Sequence, residues 1–588
     1  MPDRYGGYEL VRRDSDRDRR WGGRVRNQVA LSTQVRISNG AQGHNTLRAP
    51  WYVRKLQEDL RELGFQLVDA PNGNFDVATE WSVRHFQAYA KMQRTAQEDL
   101  RSTATRYQER LAQVAVPEGH RYTGPVCGVL NERTRELLQH WLDNRWRCPV
   151  VIEAWNVGDS GNRTTIHGQS YNLWRYDSGP VGNFQNGPFI YARDFSQYYA
   201  LPLMRARDDL IVLGRRTRYL AHSTGPVIDN PSHFWRQAEL TAPYLVGTAL
   251  NNLTVAQLST FKVVRAVAEV ECYGYFDCVN AYDRGFMSFG PCHWVLGFGD
   301  NDSDNNAATV DRGELCGYLS YLRAANPRTF EHAMEFFGVR VHEDWRADWQ
   351  ALYNSSQRKY AGTLALQQAD GTWAQMELLQ EHYNMMRSWH WFYRFVMAAR
   401  TLTSFRRRVW HLARARIRDI RRSRWNVTGA PATQTVAAIP IAPAQQRGPP
   451  QTRPATIGDV FSSERGMALL LRWHVKSPGH IVSEGRAGHQ ARDALQRARA
   501  AQPGLNWNAP PTNWGAAHEQ ALIDGLIAEA AAGTDDDLTR TLRQVRDWPN
   551  YADRAGRNYA LTAVLAGTLS TNRGSFSMDA ADLPPEVD

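Results

Sequence analysis

The sequence predicts a mainly α protein, with a small three-helix domain ahead of a large helical one. Three observations carry this expectation. Apolar residues recur at helical spacing from Ala49 onward, as in WYVRKLQEDLRELGF, where Val53, Leu56, Leu60 and Leu63 share a face and Gly64 ends the run. One helix-start pattern occurs twice, first as Gly73, Asp76, Thr79, Val83 and Phe86, then as Gly128, Asn131, Thr134, Leu138 and Trp141. Long amphipathic patterns then continue through TAPYLVGTALNNLTVAQLSTFKVVRAVAEVE and MELLQEHYNMMRSWHWFYRFVMAARTL.

At 588 residues with 42% apolar content, the chain has material for more than one core. No apolar run is long enough to span a membrane. The N-terminal MPDRYGGYELVRRDSDRDRRWGG lacks the apolar centre of a secretory signal, so work outside the cytoplasm implies delivery by another route. A formal charge of +10 points to a polyanionic partner: nucleic acid, an anionic membrane or the bacterial wall. Six cysteines are too few for a disulfide-built scaffold, and their spacing fits no zinc template, so buried thiols are expected.

Taken in order, residues 1–48 are rich in Arg, Asp, Gly, Asn and Ser and read as a flexible N-terminal tail. Residues 49–147 hold the repeated pattern and a polar segment at about 92–116, rich in Ala, Gln and Arg, that reads as a helical insertion. The motifs LQ, LGF, G-x-F-D, T and V-R-x-F-Q, in that order within VRKLQEDLRELGF…GNFDVATEWSVRHFQ, resemble the peptidoglycan-binding domain of cell-wall hydrolases. That resemblance implies a small three-helix fold and wall binding, and the inserted segment is a departure from it.

Residues 148–195 open with the strand-like RCPVVIEAW and continue rich in Gly, Asn, Ser and Pro, as a connector. His167 and His222 have no partner His at ligand spacing, so a zinc amidase has little support. Residues 196–588 form the large helical domain. Within it, RRRVWHLARARIRDIRRSRW places Val409, Leu412, Ala413, Arg416 and Ile420 on one face, and its charges are expected on a solvated surface. A Pro-rich stretch at about 427–457 reads as a long loop within this domain, because the apolar helix of ERGMALLLRWHVKSPGHI needs a partner.

The stretch with the most chemistry is FKVVRAVAEVECYGYFDCVNAYDRGFMSFGPCHW, residues 261–294. At about 100° per residue, Val263, Val264, Val267, Ala268 and Val270 face one way, with Lys262, Arg265 and Glu269 opposite. Glu271 projects into the apolar side at the helix C-terminus, where desolvation and the macrodipole both raise a carboxyl pKa. Such an acid suits protonation of a departing sugar oxygen. An ordinary cap or ion pair at a helix end accounts for the same residue.

Glu271, Cys272, Tyr273 and Gly274, followed by SFGPCHW, resemble the core of lysozyme-like muramidases and lytic transglycosylases, in which a helix-ending Glu precedes a Gly-containing segment of the sugar cleft. Cys272 stands where those relatives often have Ser, and His293 stands near their usual Gln. The resemblance implies cleavage between N-acetylmuramic acid and N-acetylglucosamine with Glu271 as general acid. Asp283 or Asp277 is then the second carboxylate, Asp283 slightly preferred, and a single-glutamate transglycosylase follows if neither reaches the cleft. Tyr273, Tyr282, Ser288, Phe289, His293 and Trp294 are the candidate substrate contacts, although aromatics at this density also build cores.

Asp300, Asp302, Asp304 and Asp311 match a calcium-loop spacing without its central Gly, and Asp311 with Glu314 fits a capping box instead. No metal and no cofactor is expected. The expected partner is the peptidoglycan glycan strand rather than nucleic acid. The implied setting is a protein made in the cytoplasm without a cleaved signal and acting in the periplasm or wall of a target bacterium. A contractile secretion device or a phage apparatus would deliver it, with an immunity protein as a further partner. The competing class is a non-catalytic wall-binding or structural protein with a degenerate lysozyme-like core.

Overall fold

The computed structural model of the chain describes residues 5, 8–12, 33–37, 49–65, 70–104, 107–156, 163–165, 188–199, 252–271, 279–280, 285–299, 310–342, 362–442, 450–548 and 568–580. The fold is mainly α.

At the N-terminus, β1 (Tyr8–Arg12) and β2 (Thr33–Ile37) pair antiparallel, with Tyr8 opposite Ile37. Tyr5 is buried and donates its hydroxyl to Asp59 at 2.8 Å. The described part of 1–48 is therefore docked structure rather than a flexible tail. The pairing of YELVR with TQVRI supplies ladder bonds that composition does not reveal.

Three helices follow: α1 (Ala49–Leu63), α2 (Val77–Ala90) and α3 (Glu132–Asp143). The segment expected to be a helical insertion is a hairpin of β3 (Arg94–Glu98) and β4 (Leu111–Ala115), and β5 (Trp146–Arg147) pairs on the other edge of β3. Ala96 and Leu111 join Val151 and Phe195 in a small separate core, and Thr95 Oγ1 donates to the Arg147 carbonyl at 2.7 Å. These long-range contacts outweigh the helical preference of Ala, Gln and Arg.

In the connector, β6 (Val150–Asn156) lies between β7 (Arg163–Thr165) and β8 (Pro188–Asp194). Next come α4 (Val255–Glu271) and an antiparallel sheet of β9 (Val279–Asn280), β10 (Gly285–Phe289), β11 (Trp294–Gly299) and β12 (Val310–Arg312), neighbours in chain order. Then follow α5 (Leu315–Ala325), α6 (Pro327–Ala333) and a second meander of β13 (Val339–Val341), β14 (Leu364–Gln367) and β15 (Trp373–Gln375). Helices α7 (Gln380–Met385), α8 (Trp389–Thr401) and α9 (Thr403–Arg422) come next.

Helix α9 touches α4, α5 and α8, and its expected solvated charges are buried instead: Arg406, Arg414, Arg416 and Arg418 are each at most 8% exposed. Burial at this depth demands partners. Arg416 Nη2 lies 2.9 and 3.0 Å from the two Glu314 oxygens, and Arg414 Nη1 lies 2.7 Å from Asp579. These partners are remote in sequence, so the helix reads as a surface one when taken alone. Glu314 is also spent here rather than in a capping box, since Asp311 lies in β12 and Glu314, the N-cap of α5, makes no side-chain capping bond.

The Pro-rich stretch folds back on the last helices. β16 (Ile439–Pro440) pairs with β17 (Thr452–Arg453), and the Gln434 amide bonds to Asp493 at 2.5 Å and Arg492 at 2.9 Å. The chain continues through α10 (Ile457–Val460), α11 (Glu464–Lys476), α12 (Pro478–Ile481), the β18 (Val482–Ser483) and β19 (Arg486–Ala487) pair, α13 (His489–Ala501), α14 (Ala516–Ala532) and α15 (Asp536–Arg546). The apolar helix α11 finds its partners in α4, α9, α14 and α15.

One apolar core runs from Tyr5 to Phe576. At the seam between the N-terminal helices and the body, Trp81 meets Trp391 edge-on at 6.1 Å and Phe65 stacks on His390 at 6.4 Å. Arg84 Nη1 donates to the Gln367 carbonyl at 3.0 Å. The described cysteines, Cys127, Cys148, Cys292 and Cys316, are buried free thiols whose pKa values burial pushes up.

Candidate functional site

The two helix-start motifs are built by the same device. Gln57 on α1 takes the N–H groups of Asn72 and Gly73 on its amide oxygen at 2.8 and 3.0 Å, and its amide nitrogen reaches the Asn74 carbonyl and Thr79 Oγ1 at 2.9 and 2.8 Å. Gln87 on α2 takes the N–H groups of Cys127 and Gly128, both at 2.9 Å, and donates to the Val129 carbonyl and Thr134 Oγ1 at 2.9 and 3.1 Å. Asp76 and Asn131 then cap α2 and α3, each accepting the N–H and the hydroxyl of the threonine three residues on. Gly73 and Gly128 adopt φ of 78° and 74°, which the turn requires. From Gln to Thr the chain runs 22 residues in the first copy and 47 in the second, and the excess is the β3–β4 hairpin segment.

The second site is the C-terminal end of α4. The helix starts with a reciprocal capping box: Thr254 N–H bonds to Gln257 Oε1 at 3.0 Å and Gln257 N–H to Thr254 Oγ1 at 3.2 Å. Phe261, Val263, Val264, Val267 and Val270 are buried as the periodicity implies. Lys262 and Arg265, expected on a polar face, are buried as well, Lys262 against Glu464 of α11. The Glu269 side chain lies outside the described residues.

Glu271 does not meet the apolar wall expected for it. Its Oε1 is 2.6 Å from Arg472 Nη1 of α11, and its Oε2 is 3.2 Å from His293 Nδ1. Arg472 is anchored in turn by Nε donating to Thr541 Oγ1 of α15 at 3.1 Å. His293 reaches Glu271 from the turn joining β10 to β11. Gly290 starts that turn at φ 77°, His293 N–H bonds back to the Gly290 carbonyl at 3.0 Å, and Phe289 opposite Trp294 closes it. A Cβ on Gly290 would stand 3.1 Å from the Trp294 ring. Cys292, in the same turn, is pushed up to about 12 by burial, with Arg416 acting against the shift. Two buried ionic contacts, Glu271–Arg472 and Glu314–Arg416, thus flank one turn.

Of the other residues proposed for the sugar site, Asp277, Asp283, Tyr273 and Tyr282 lie outside the described residues, as do Asp300, Asp302 and Asp304 of the calcium-loop spacing. Phe289 and Trp294 are corrected to core. Phe289 packs on Tyr318, Phe395 and Phe405, and Trp294 stacks on Tyr318 at 5.8 Å with the rings 2° from parallel. Ser288 is buried in the sheet, opposite Val295 and Asn280. Both faces of β10 are covered, so aromatic density here serves packing. His293 is the described member of the set that reaches Glu271.

Arg472 went unread in the sequence because it lies two hundred residues beyond its partner on an apolar helix, with no local signal. A trio that was also missed is Glu377, Glu381 and His382, whose ligand atoms lie within 4.8 Å of one another.

Residues 52–97 match the peptidoglycan-binding domain family. The matched segment covers most of α1, the Gln57 turn, α2 and most of β3. The chain thus carries a peptidoglycan-binding module, which associates it with the cell wall. No curated protein and no solved structure matches the chain. Among the described residues no helix is long and apolar enough to cross a membrane.

Proposed function

We propose that the chain is a peptidoglycan glycosidase that cleaves the glycan strand between N-acetylmuramic acid and N-acetylglucosamine, with the N-terminal module holding the wall and Glu271 acting as general acid. The observation that carries this reading is the placement of Glu271. It is the last residue of a 17-residue helix, and its carboxylate meets the turn of an antiparallel sheet 3.2 Å away. A helix-ending carboxylate beside a sheet turn matches what a lysozyme-like site needs, and an acid 11% exposed is shielded from bulk water. In this reading the Arg472 contact belongs to the resting protein and is exchanged for the sugar when substrate enters. Asp277 or Asp283 supplies the second carboxylate. With neither in the cleft, the muramic acid cyclises and the enzyme is a lytic transglycosylase.

A second reading has its own support. Arg472 and His293 already engage Glu271, and two proposed stacking residues are core, which suits a non-catalytic wall-binding protein. Digestion of purified sacculi with muropeptide mass spectrometry separates the two readings. Reducing ends mark a muramidase and anhydro-muramic ends a transglycosylase, and Glu271→Gln is expected to abolish either product while co-sedimentation with sacculi and the circular dichroism spectrum stay intact. Full activity in Glu271→Gln refutes the assignment of the acid, and absence of products from the unaltered protein establishes the non-catalytic reading.

A further inference from the structure

We propose that Glu377, Glu381 and His382 form a binding site for a divalent first-row transition metal of the zinc type. Glu377 follows β15 and the other two residues open α7, so one carboxylate comes from a strand end and two donors from a helix. One ligand atom of each lies within 4.8 Å of the others. Proximity of acidic groups is not enough, and the imidazole supplies the second observation. His382 is 1% exposed, and neither ring nitrogen has a hydrogen-bond partner among the described residues. A buried imidazole in that state lacks the bonds that polar groups ordinarily find in a protein interior. Its Nε2 lies 3.4 Å from Glu377 Oε2 of the same trio.

That separation is informative. A hydrogen bond between these atoms is expected at about 2.7–3.2 Å. Zinc bonds to imidazole nitrogen and carboxylate oxygen at about 2.0–2.2 Å, and a tetrahedral angle between such bonds puts the two donors about 3.4 Å apart. The His382–Glu377 edge already has the span of two tetrahedral ligands, and only Glu381, which is exposed, has to swing inward. Three protein donors leave the fourth position to water or to a ligand arriving from solvent. The donor set selects the metal, since imidazole with carboxylates suits zinc and its neighbours, whereas magnesium and calcium prefer oxygen ligands alone.

The scaffold is held at both ends. Leu378 accepts the Val310 N–H of β12 at 2.9 Å, and Met376 N–H bonds to the Leu364 carbonyl of β14 at 2.8 Å. Tyr383 packs edge-on against Phe286 of β10 at 5.6 Å, and α7 rests on α2 of the peptidoglycan-binding module. A metal here would tie the segment after β15 to the start of α7, the helix that rests on α2.

The test is calorimetric titration of the chelator-treated, full-length protein with Zn²⁺, with visible absorption of the Co²⁺ form as a second readout. One tight equivalent is expected, at least tenfold weaker in each of Glu377→Gln, Glu381→Gln and His382→Ala, with the Co²⁺ bands of an imidazole–carboxylate site lost in parallel. The chain has 17 histidines and 6 cysteines, so binding elsewhere is identified as the part the variants leave unchanged. Because His382 is buried, Glu381→Gln at the exposed position keeps the test valid if the histidine variant misfolds. A titration identical in the unaltered protein and Glu381→Gln, or no binding tighter than millimolar, overturns the proposal.

Discussion

Gln57 and Gln87 make matching sets of hydrogen bonds to matching turns, yet the turns sit in opposite surroundings. Asn72 and Asn74, around the first glycine, are exposed, while Val126, Cys127, Gly128 and Val129, around the second, are buried. The second turn is also bonded to the body, its Val126 N–H donating to Gln367 Oε1 at 2.8 Å, and Arg84 Nη1 of α2 bridges the Val126 carbonyl at 2.7 Å and the Gln367 carbonyl at 3.0 Å. The same local device therefore serves two ends. One copy keeps a surface that a wall polymer can reach, and the other has become a joint with the helical body. The family match covers the first copy and stops in the hairpin before the second.

The largest expected effect comes from breaking the two turns with the same substitution. Both glycines have positive φ, and alanine there costs about 1–2 kcal/mol from backbone strain alone. At Gly128 the added Cβ would also stand 2.5 Å from Glu80 Cγ and 3.0 Å from the Glu80 carbonyl. Glu80 is held by its ion pair to Arg84 at 2.9 Å and has little room to yield. Overpacking of this kind adds about 1–3 kcal/mol. Urea unfolding should therefore show Gly128→Ala losing roughly 2–5 kcal/mol and Gly73→Ala only about 1–2 kcal/mol. Equal losses would mean that the second turn is not the tighter joint.

A smaller effect concerns the joint alone. His85 of α2 is fully buried against His390 of α8, their rings stacked at 4.4 Å, with Arg394 Nη2 3.1 Å from His85 Nδ1. Burial first, then His390, Arg394 and Arg84, drives the His85 pKa well below its ordinary value. The folded protein thus refuses a proton that the unfolded chain accepts below about pH 6.5. Stability is fully present above that pH and falls as the solution is acidified toward the folded pKa, by at most about 1.4 kcal/mol per pH unit for this group. His85→Leu should flatten the slope of stability between pH 7 and pH 5 relative to the unaltered protein. An unchanged slope would show that the seam does not exclude the proton.

How far each region could be read from its sequence follows from the range of its interactions. The first helix-start motif, the α4 periodicity and the position of Glu271 at the end of α4 were legible, because caps, turn glycines and apolar stripes act over a few residues. The β3–β4 hairpin, the buried arginines of α9 and the packing roles of Phe289 and Trp294 were not. In each case a partner far along the chain decides the outcome: Val151 and Phe195 for the hairpin, Glu314 and Asp579 for the arginines, Tyr318 and Phe405 for the aromatics. The surroundings of Glu271 belong to the same group. Helical phase gave it an apolar neighbourhood, and Arg472, from a helix two hundred residues away, makes that neighbourhood ionic.

The smallest effect on stability should carry the largest effect on wall binding. Asn74 is exposed, and its backbone carbonyl rather than its side chain serves Gln57, so Asn74→Ala should change unfolding free energy by no more than about 0.5 kcal/mol. Asn72 spends its side-chain oxygen on Gln57 Nε2 at 3.0 Å and on the Asn74 N–H at 2.8 Å, so its loss loosens the turn slightly more. With both asparagines replaced, co-sedimentation with purified sacculi should weaken several-fold, because the polar groups of the exposed turn are those that a polar polymer can reach. Val126→Ala, in the buried copy one residue before Cys127, the counterpart of Asn72, should do the reverse, lowering the melting temperature through a cavity beside Gly338 while leaving co-sedimentation unchanged. If instead Val126→Ala releases the wall and the asparagine pair does not, the binding surface lies at the seam, and the exposed turn is only structural.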